Sequence, residues 1–223
     1  MARPHIYNIY KVYATGKYKQ EGELEALEVL LGDGITAKGI TLYKNGKPVA
    51  DQLYGLQSVV ELADGRFVAL CLPGAQSTKN VWVINQGHGA LAVAPDYRLC
   101  VTGERNTHHL ISTIINKKGE MLYSEPFYHL HDLSNAVQDP TQGMAFDTNG
   151  NLYVATPMGV QVVDHNGRVR AILSLPVGGV DALAFSGQYL YVRCGNKLYV
   201  RKMKAEGHNP SNGAITYKSQ GQG

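Results

Sequence analysis

The chain of 223 residues is long enough for one large β domain or two small ones, and its 44% hydrophobic and 17% charged residues exclude a disordered protein. The net charge of +3 arises from 21 basic and 18 acidic residues scattered along the chain, which argues against a nucleic-acid partner because such a surface needs a continuous basic stripe. No apolar run approaches the roughly 18 residues of a membrane helix, and the N-terminus lacks the hydrophobic core of a secretory signal, so we expect no membrane partner and a cytoplasmic protein, or an exported one if a signal peptide has been removed.

Residues 1–57 are expected to form N-terminal strands that build the first blade or blades of the fold or close its ring. Residues 42–49 predict a β-hairpin on the Asn45-Gly46 turn. Residues 23–31 have the composition of a helix, but the Asp-Gly that follows and the surrounding pattern favour a strand.

A unit of two apolar runs joined by a tight turn recurs four times after residue 57, which predicts consecutive β-hairpins. The copies are residues 58–70, 90–101, 143–155 and 182–192. Their turns are separated by 32, 53 and 37 residues, close to the 40–50 residues of a propeller blade. The long middle spacing indicates an insertion.

Further apolar runs predict third and, for most copies, fourth strands. Those after the second, third and fourth copies are residues 109–116 and 120–123, 159–164 and 168–175, and 196–203. A meander of four strands is one propeller blade. The sequence therefore predicts an all-β fold, a β-propeller of four-stranded blades with five to six blades, whose main part covers residues 58–206. Residues 207–223 form a polar tail, in which 214–217 could add a strand that closes the ring.

Residues 86–206 resemble the C-terminal half of the gluconolactonase–regucalcin (senescence marker protein) propeller family. The most specific stretch is QGMAFDTNGNLYVATPMGVQVVDHNGRV at 142–169; HGALAVAPD (88–96) resembles a blade start, FYHLHD (127–132) a connecting segment of one bacterial branch, and residues 182–203 the final blade. The resemblance implies a six-bladed propeller that binds one divalent metal, calcium or zinc, at the top of its central channel and hydrolyses sugar lactones or related esters.

The metal ligands that the resemblance implies are altered in this chain. Two ligand positions of the family, an Asn and an Asp that is also the presumed general base, fall on Gly89 and Gln142. The third, a Glu near the N-terminus, has Glu21 as its nearest match. Glycine has no side chain, and glutamine cannot accept a proton at neutral pH. We therefore expect no cofactor in the channel, with a divalent metal held in the family's manner as the alternative.

The first residues of the innermost strands converge on the propeller axis and predict a polar site there. The predicted ligand-binding residues are Gln57, Ser58, His88, Gln142 and Asp181. His88 beside Asp181 could act as a general base oriented by a carboxylate. The small-molecule partner would be a sugar or lactone, and the chain would be a lactone or ester hydrolase with an altered site. The alternative is a non-catalytic propeller that binds a polyol, a sugar or a protein partner. The sequence carries no signal for an oligomeric state.

The insertion contains His129-x-His131-Asp132, which is an alternative metal site. On a strand, residues i and i+2 face the same way, so two imidazoles could share a transition metal. The three cysteines, Cys71, Cys100 and Cys194, form no CxxC pair, and we expect them to be buried free thiols.

Overall fold

The computed structural model describes residues 19–23, 35–105, 107–131, 143–176 and 179–217. These residues form eighteen β-strands and one short 3₁₀ turn, Pro210–Asn212, and contain no α-helix. No helix in this part of the chain is long and apolar enough to cross a membrane. The strands form five antiparallel or mixed sheets that pack face to face, which confirms the predicted all-β propeller.

Each sheet is one blade, and the blades follow one another along the chain after a first strand, β1 (Lys19–Glu23). Blade 1 contains β2 (Ile35–Lys38), β3 (Thr41–Lys44) and β4 (Lys47–Ala50). Blade 2 contains β5 (Ser58–Glu61), β6 (Phe67–Leu70) and β7 (Val81–Ile84). Blade 3 contains β8 (His88–Val93), β9 (Leu99–Gly103), β10 (His109–Ile115) and β11 (Met121–His129). Blade 4 contains β12 (Met144–Phe146), β13 (Leu152–Thr156), β14 (Gly159–Val163) and β15 (Val169–Leu173). Blade 5 contains β16 (Ala182–Ser186), β17 (Tyr189–Cys194) and β18 (Lys197–Lys202), and β1 is its fourth strand.

The predicted hairpins are present, and their turns explain why. The β3–β4 turn consists of Asn45 and Gly46, both with positive φ (50° and 75°), as a two-residue hairpin turn requires. All four repeated units form the first two strands of a blade. Of the predicted strand at 23–31, Glu23 belongs to β1, and the remaining residues lie outside the described part of the chain.

Blade 2 departs from the predicted meander. Strand β7 pairs with β6 in parallel, with Phe67 opposite Val81 and Leu70 opposite Ile84. Residues 71–80 carry the chain back across the blade before β7 begins, so the third strand runs in the same direction as the second. Blades 1 and 2 each have three strands in the described part of the chain, where four were predicted.

Four apolar clusters lie between successive blades and form the core. The cluster between blades 4 and 5 joins Val160 and Val162 to Leu190 and Val192, all fully buried. Since both faces of blades 2, 3 and 4 pack on neighbours, strands inside these blades can be apolar at every position, as in β6 and β7. In β18, Leu198 is only partly buried, and the next residue, Tyr199, joins the cluster.

The strands nearest the propeller axis are β5, β8, β12 and β16. Each is an edge strand of its sheet, and they contact one another in the series β5–β8, β8–β12 and β12–β16. We call the end of the molecule where these four strands begin the upper end, and the end where their hairpin turns lie the lower end.

The C-terminal segment 206–217 crosses the lower end and forms no strand, so the strand expected at 214–217 is wrong. Gly207 N donates to Gly187 O of blade 5, and His208 N to Phe146 O of blade 4, both at 2.8 Å. Ile215 N then donates to Pro95 O of blade 3 at 2.7 Å. These single contacts with turns provide no continuous ladder, which is why residues 214–217 do not extend a sheet. The blade 5 edge is instead paired with β1.

Candidate functional site

A pocket of about 500 Å³ opens at the upper end beside blades 2 and 3. Residues from the entrance of β5, the entrance of β8, the end of β9 and the middle of β10 form its wall. They are Gln57, Leu72, Gly87, His88, Glu104, Arg105 and Ile111. Two of the predicted site residues, Gln57 and His88, are thus brought together in one concave site, of the size and mixed polarity that small-molecule sites have.

Gln57 is fixed by two hydrogen bonds. Its backbone N–H donates to Leu70 O at 2.9 Å, and its side-chain Oε1 accepts from Gly89 N at 2.8 Å. The Nε2 group carries the side-chain donors of Gln57 and can donate to a ligand. The contact also crosses from blade 2 to blade 3 and aligns the two blade entrances.

His88 lies between two glycines with left-handed backbone conformations, Gly87 (φ 102°) and Gly89 (φ 77°). A Cβ at position 87 would lie 1.9 Å from Thr102 Oγ1, so the chain passes too close to β9 for any side chain there. A β-bulge follows, since His88 pairs with Gly103 but Leu91 pairs with Thr102. Bulges redirect side chains near sites, and this one places the half-buried His88 in the pocket wall.

Glu104 and Arg105 are pocket residues that the sequence interpretation missed. Both directly follow β9, and Glu104 Oε2 accepts a hydrogen bond from Thr107 Oγ1 at 2.9 Å. The same carboxylate oxygen lies 4.0 Å from His109 Nδ1. In the sequence they are visible only as a charged pair at the end of a buried strand. To assign them to the site, one must also know that β9 ends at the same end of the blade at which β8 begins.

Ser58 and Asp181 do not line this pocket. Ser58 is the first residue of β5 and pairs with Leu70. Asp181 precedes β16 in blade 5, where its backbone N–H donates to Arg193 O at 2.9 Å and its Oδ2 accepts from Gly195 N at 2.5 Å. The carboxylate therefore stabilises the turn between β17 and β18. Gln142 lies outside the described residues, so its place in the site stays a prediction, as does the pairing of His88 with Asp181.

The histidines of the insertion lie at the upper end of blade 3. Strand β11 ends at His129, so the alternation that places i and i+2 on one face does not extend to His131. The His129 ring lies 4.6 Å, centroid to centroid, from that of His109, its partner across the β10–β11 pair. Burial, followed by the nearby His109, His108 and His131, lowers the pKa of His129. His131 is tied to blade 4, since its N–H donates to Gln161 Oε1 at 2.9 Å.

The described residues do not fit the divalent metal that the resemblance implies. Gly89 offers no side chain, and its N–H is a donor that points to Gln57. Glu21 lies on β1, the edge strand of blade 5 opposite β16, three strand spacings or about 14 Å from that inner strand. The described part of the chain contains no group of three His, Cys, Asp or Glu side chains able to hold a metal ion.

Comparisons with solved structures bear on the fold. A calcium-binding protein, regucalcin, from Agrobacterium tumefaciens aligns at 13% identity over 88% of this chain and 76% of its own, with a TM-score of 0.54. A putative gluconolactonase aligns at 12% identity over 92% and 98%, with a TM-score of 0.52. The fold is that of the gluconolactonase and regucalcin propellers.

A gluconolactonase from Xanthomonas campestris aligns at 17% identity over 73% of this chain, with a TM-score of 0.44, and the chain spans 44% of its length. No model of a protein family matches the sequence, and no curated protein matches it. At 12–13% identity, the regucalcin and putative gluconolactonase structures show the fold alone.

Proposed function

We propose that the upper pocket binds a small polyhydroxylated molecule, a sugar acid or its lactone, without a metal ion. The observation that carries the proposal is the pocket lining, which combines one amide, one imidazole, one carboxylate and one guanidinium with two aliphatic side chains. Sugar hydroxyls both donate and accept hydrogen bonds, so their recognition needs both kinds of partner around an apolar floor.

Each lining residue has a distinct contribution. The Nε2 group of Gln57 donates to a hydroxyl, while its Oε1 accepts from Gly89 N. The Glu104 carboxylate accepts from hydroxyls, and the exposed Arg105 guanidinium pairs with the carboxylate of the acid. Leu72 and Ile111 pack against the C–H face of the ligand. The likeness to a putative gluconolactonase supports the choice of an aldonic acid and its lactone as the ligand class.

The place of His88 in the same wall favours hydrolysis of the lactone as a second candidate function. A neutral imidazole can take the proton of a water molecule as that water attacks the lactone carbonyl. The ring C–O bond then breaks, and its oxygen leaves as a hydroxyl once it is protonated. This reaction requires no group beyond water and the residues of the pocket.

Calorimetric titration with D-gluconate and with neutral D-glucitol tests the binding proposal. We expect both to bind and D-gluconate to bind more tightly, with EDTA leaving both affinities unchanged. Gln57→Ala should weaken both ligands by about tenfold, which is the loss of one good hydrogen bond. Arg105→Gln should remove only the preference for the acid. Ser58→Ala is the matched control, since Ser58 lies at the same end but outside the pocket. Loss of binding in EDTA, or equal effects of Ser58→Ala and Gln57→Ala, would contradict the proposal.

The two candidate functions separate in one further assay. If His88 is a general base, D-glucono-1,5-lactone should open faster with the protein than in buffer, and His88→Gln should abolish the difference while D-gluconate still binds. If the rate with the native protein equals that of buffer, the site binds and does not hydrolyse.

A further inference from the structure

A second cavity, of about 470 Å³, lies between blades 3 and 4 toward the lower end. It is separate from the upper pocket and shares no lining residue with it. Most of its wall is apolar and comes from the outer strands β10 and β11, the turns of blade 4 and the C-terminal segment. The main apolar contributors are Leu99, Ile114, Tyr123, Phe127, Phe146 and Tyr217. Its size and apolar character are those of small-molecule sites.

The cavity wall contains a hydroxyl that the protein does not satisfy. Ser112 is 6% exposed, and its Oγ is buried without a hydrogen-bond partner among the described residues. On the opposite face of the same two strands, Thr113 Oγ1 and Ser124 Oγ bond to each other at 2.9 Å. Buried polar groups are nearly always paired, because an unpaired one destabilises the fold. Ser112 therefore indicates a polar group of a ligand.

Aromatic side chains around the opening remain exposed. Tyr123 is 57% exposed, Phe127 43% and Tyr217 46%. A hydrogen bond nevertheless holds the Tyr217 side chain in place, since its hydroxyl donates to Thr148 O at 3.1 Å. Contiguous exposed apolar surface marks binding sites more often than isolated exposed residues do.

The charges at the cavity favour a cation. Asp96, Glu125 and His165 are the lining residues with charged or titratable groups besides the tyrosines, and the lining contains no Lys or Arg. Glu125 stands directly opposite Ser112 in the β10–β11 register. Burial, and then the negative charges of Asp164 and Asp96, raise the pKa of Tyr128 in the same wall to about 12. The side chains in the lining that carry a full charge at neutral pH, Asp96 and Glu125, are therefore both acidic.

We propose that this cavity binds an amphipathic amine, with an apolar aromatic body and one protonated amino group. The ammonium donates to Ser112 Oγ and to the Glu125 carboxylate. The buried Ser112 hydroxyl thereby gains a hydrogen-bond partner. The body packs against Leu99 and Phe146, and the faces of Tyr123 and Phe127 attract the cation. The proposal concerns a second site and goes beyond the function of the upper pocket.

Three naphthalene probes of equal body and different head group test the proposal on the full chain. They are 2-naphthylmethylamine, which is a cation, 2-naphthylmethanol, which is neutral, and 2-naphthoate, which is an anion. Calorimetric titration should give an affinity for the amine about tenfold above that of the alcohol, and the anion should bind least. Equal affinities for the three probes, or no binding of the amine by folded protein, would overturn the proposal.

Variants locate the binding. Glu125→Gln should remove the preference for the amine over the alcohol, and Ser112→Ala should weaken the amine about fivefold. Ser124→Ala is the matched control, because its hydroxyl lies on the opposite face and should leave the amine affinity unchanged. Arg105→Gln, at the upper pocket, should also have no effect. Circular dichroism shows that each variant is folded. If folded Glu125→Gln and Ser112→Ala proteins both bind the amine as the native protein does, the site is wrong.

Discussion

Gly89 follows His88 at the upper pocket, and its backbone conformation explains why it carries no side chain. At φ 77° a residue with a Cβ is strained, although asparagine tolerates this region better than most. Its N–H donates to Gln57 Oε1. The position at which the resemblance implies a metal ligand therefore carries a hydrogen-bond donor. The hydrogen bond at this position therefore links the entrances of blades 2 and 3.

We predict that the purified protein carries no stoichiometric calcium or zinc and opens simple sugar lactones without metal dependence or not at all. A metal-dependent lactonase uses the cation to polarise the carbonyl, and holding a hard cation requires several oxygen ligands, preferably charged. Gly89 and Gln142 supply no charged oxygen. Elemental analysis that finds about one metal per chain, lost in Gln142→Ala, would contradict this prediction.

The converse variant tests whether the scaffold lacks only those two ligands. In Gly89→Asn combined with Gln142→Asp, calcium should raise the melting temperature by mass action, with about 2.7 kcal/mol expected at a calcium concentration 100 times Kd. No shift with calcium or zinc would mean that the channel has diverged at further positions.

At the scale of elements, the C-terminal segment 206–217 is hydrogen-bonded to three blades at the lower end. His208 is buried in it, with its Nε2 unpartnered among the described residues, and its ring lies 6.4 Å from that of Tyr97. The Tyr97 hydroxyl in turn donates to Pro210 O. The segment therefore contributes stability through a few specific contacts, each of which a charge can disturb.

Acidification should lower the free energy of unfolding through protonation of His208. Burial lowers the pKa of His208 below that of a histidine in the unfolded chain, which is about 6.5. Below that pH the unfolded chain takes up the proton first, so the free energy of unfolding falls as the pH falls toward the folded pKa. Urea titrations at pH 7 and pH 5 should show this loss, and His208→Phe should reduce it. His165→Gln, at an exposed histidine, is the control. An unchanged loss in His208→Phe would contradict the prediction.

The elements that the sequence predicted are those with local signals. The β13–β14–β15 meander was predicted because its apolar runs and Gly turns are contiguous in sequence. The parallel β6–β7 pair was not, because residues 71–80 have no pattern that indicates the direction of the returning strand. At the site, Gln57 and His88 were predicted from their place before inner strands. Glu104 and Arg105 were missed, because their approach to the pocket depends on pairing across blade 3.

At the scale of the whole molecule, four apolar clusters join the five blades. In addition, the N-terminal strand β1 pairs with the last strand, β18. Strand β1 pairs with β18, with Lys19 opposite Val200 and Glu23 opposite Lys197. Propellers protect their edges by such pairing, because an unpaired edge strand invites association with other chains. Strand β2 has three exposed residues and β16 has two. The β1–β18 pair therefore contributes to holding blade 5 in place.

A cross-strand disulfide tests that pair. Glu23→Cys with Lys197→Cys should form a disulfide on oxidation, because the two residues are direct partners and Cα atoms in a pair lie about 4.5–5.5 Å apart. The variant should be made with Cys194→Ala, since Cys194 pairs with Lys197 from the other side. Closing so long a loop should raise the free energy of unfolding by about 2–4 kcal/mol, measured in denaturant against the reduced form. The matched control is Glu23→Cys with Lys202→Cys, whose second cysteine lies five residues along β18, about 16 Å away, and should not cross-link. Failure of the first pair to oxidise, or equal oxidation of both pairs, would show that β1 does not occupy the edge of blade 5 in this register.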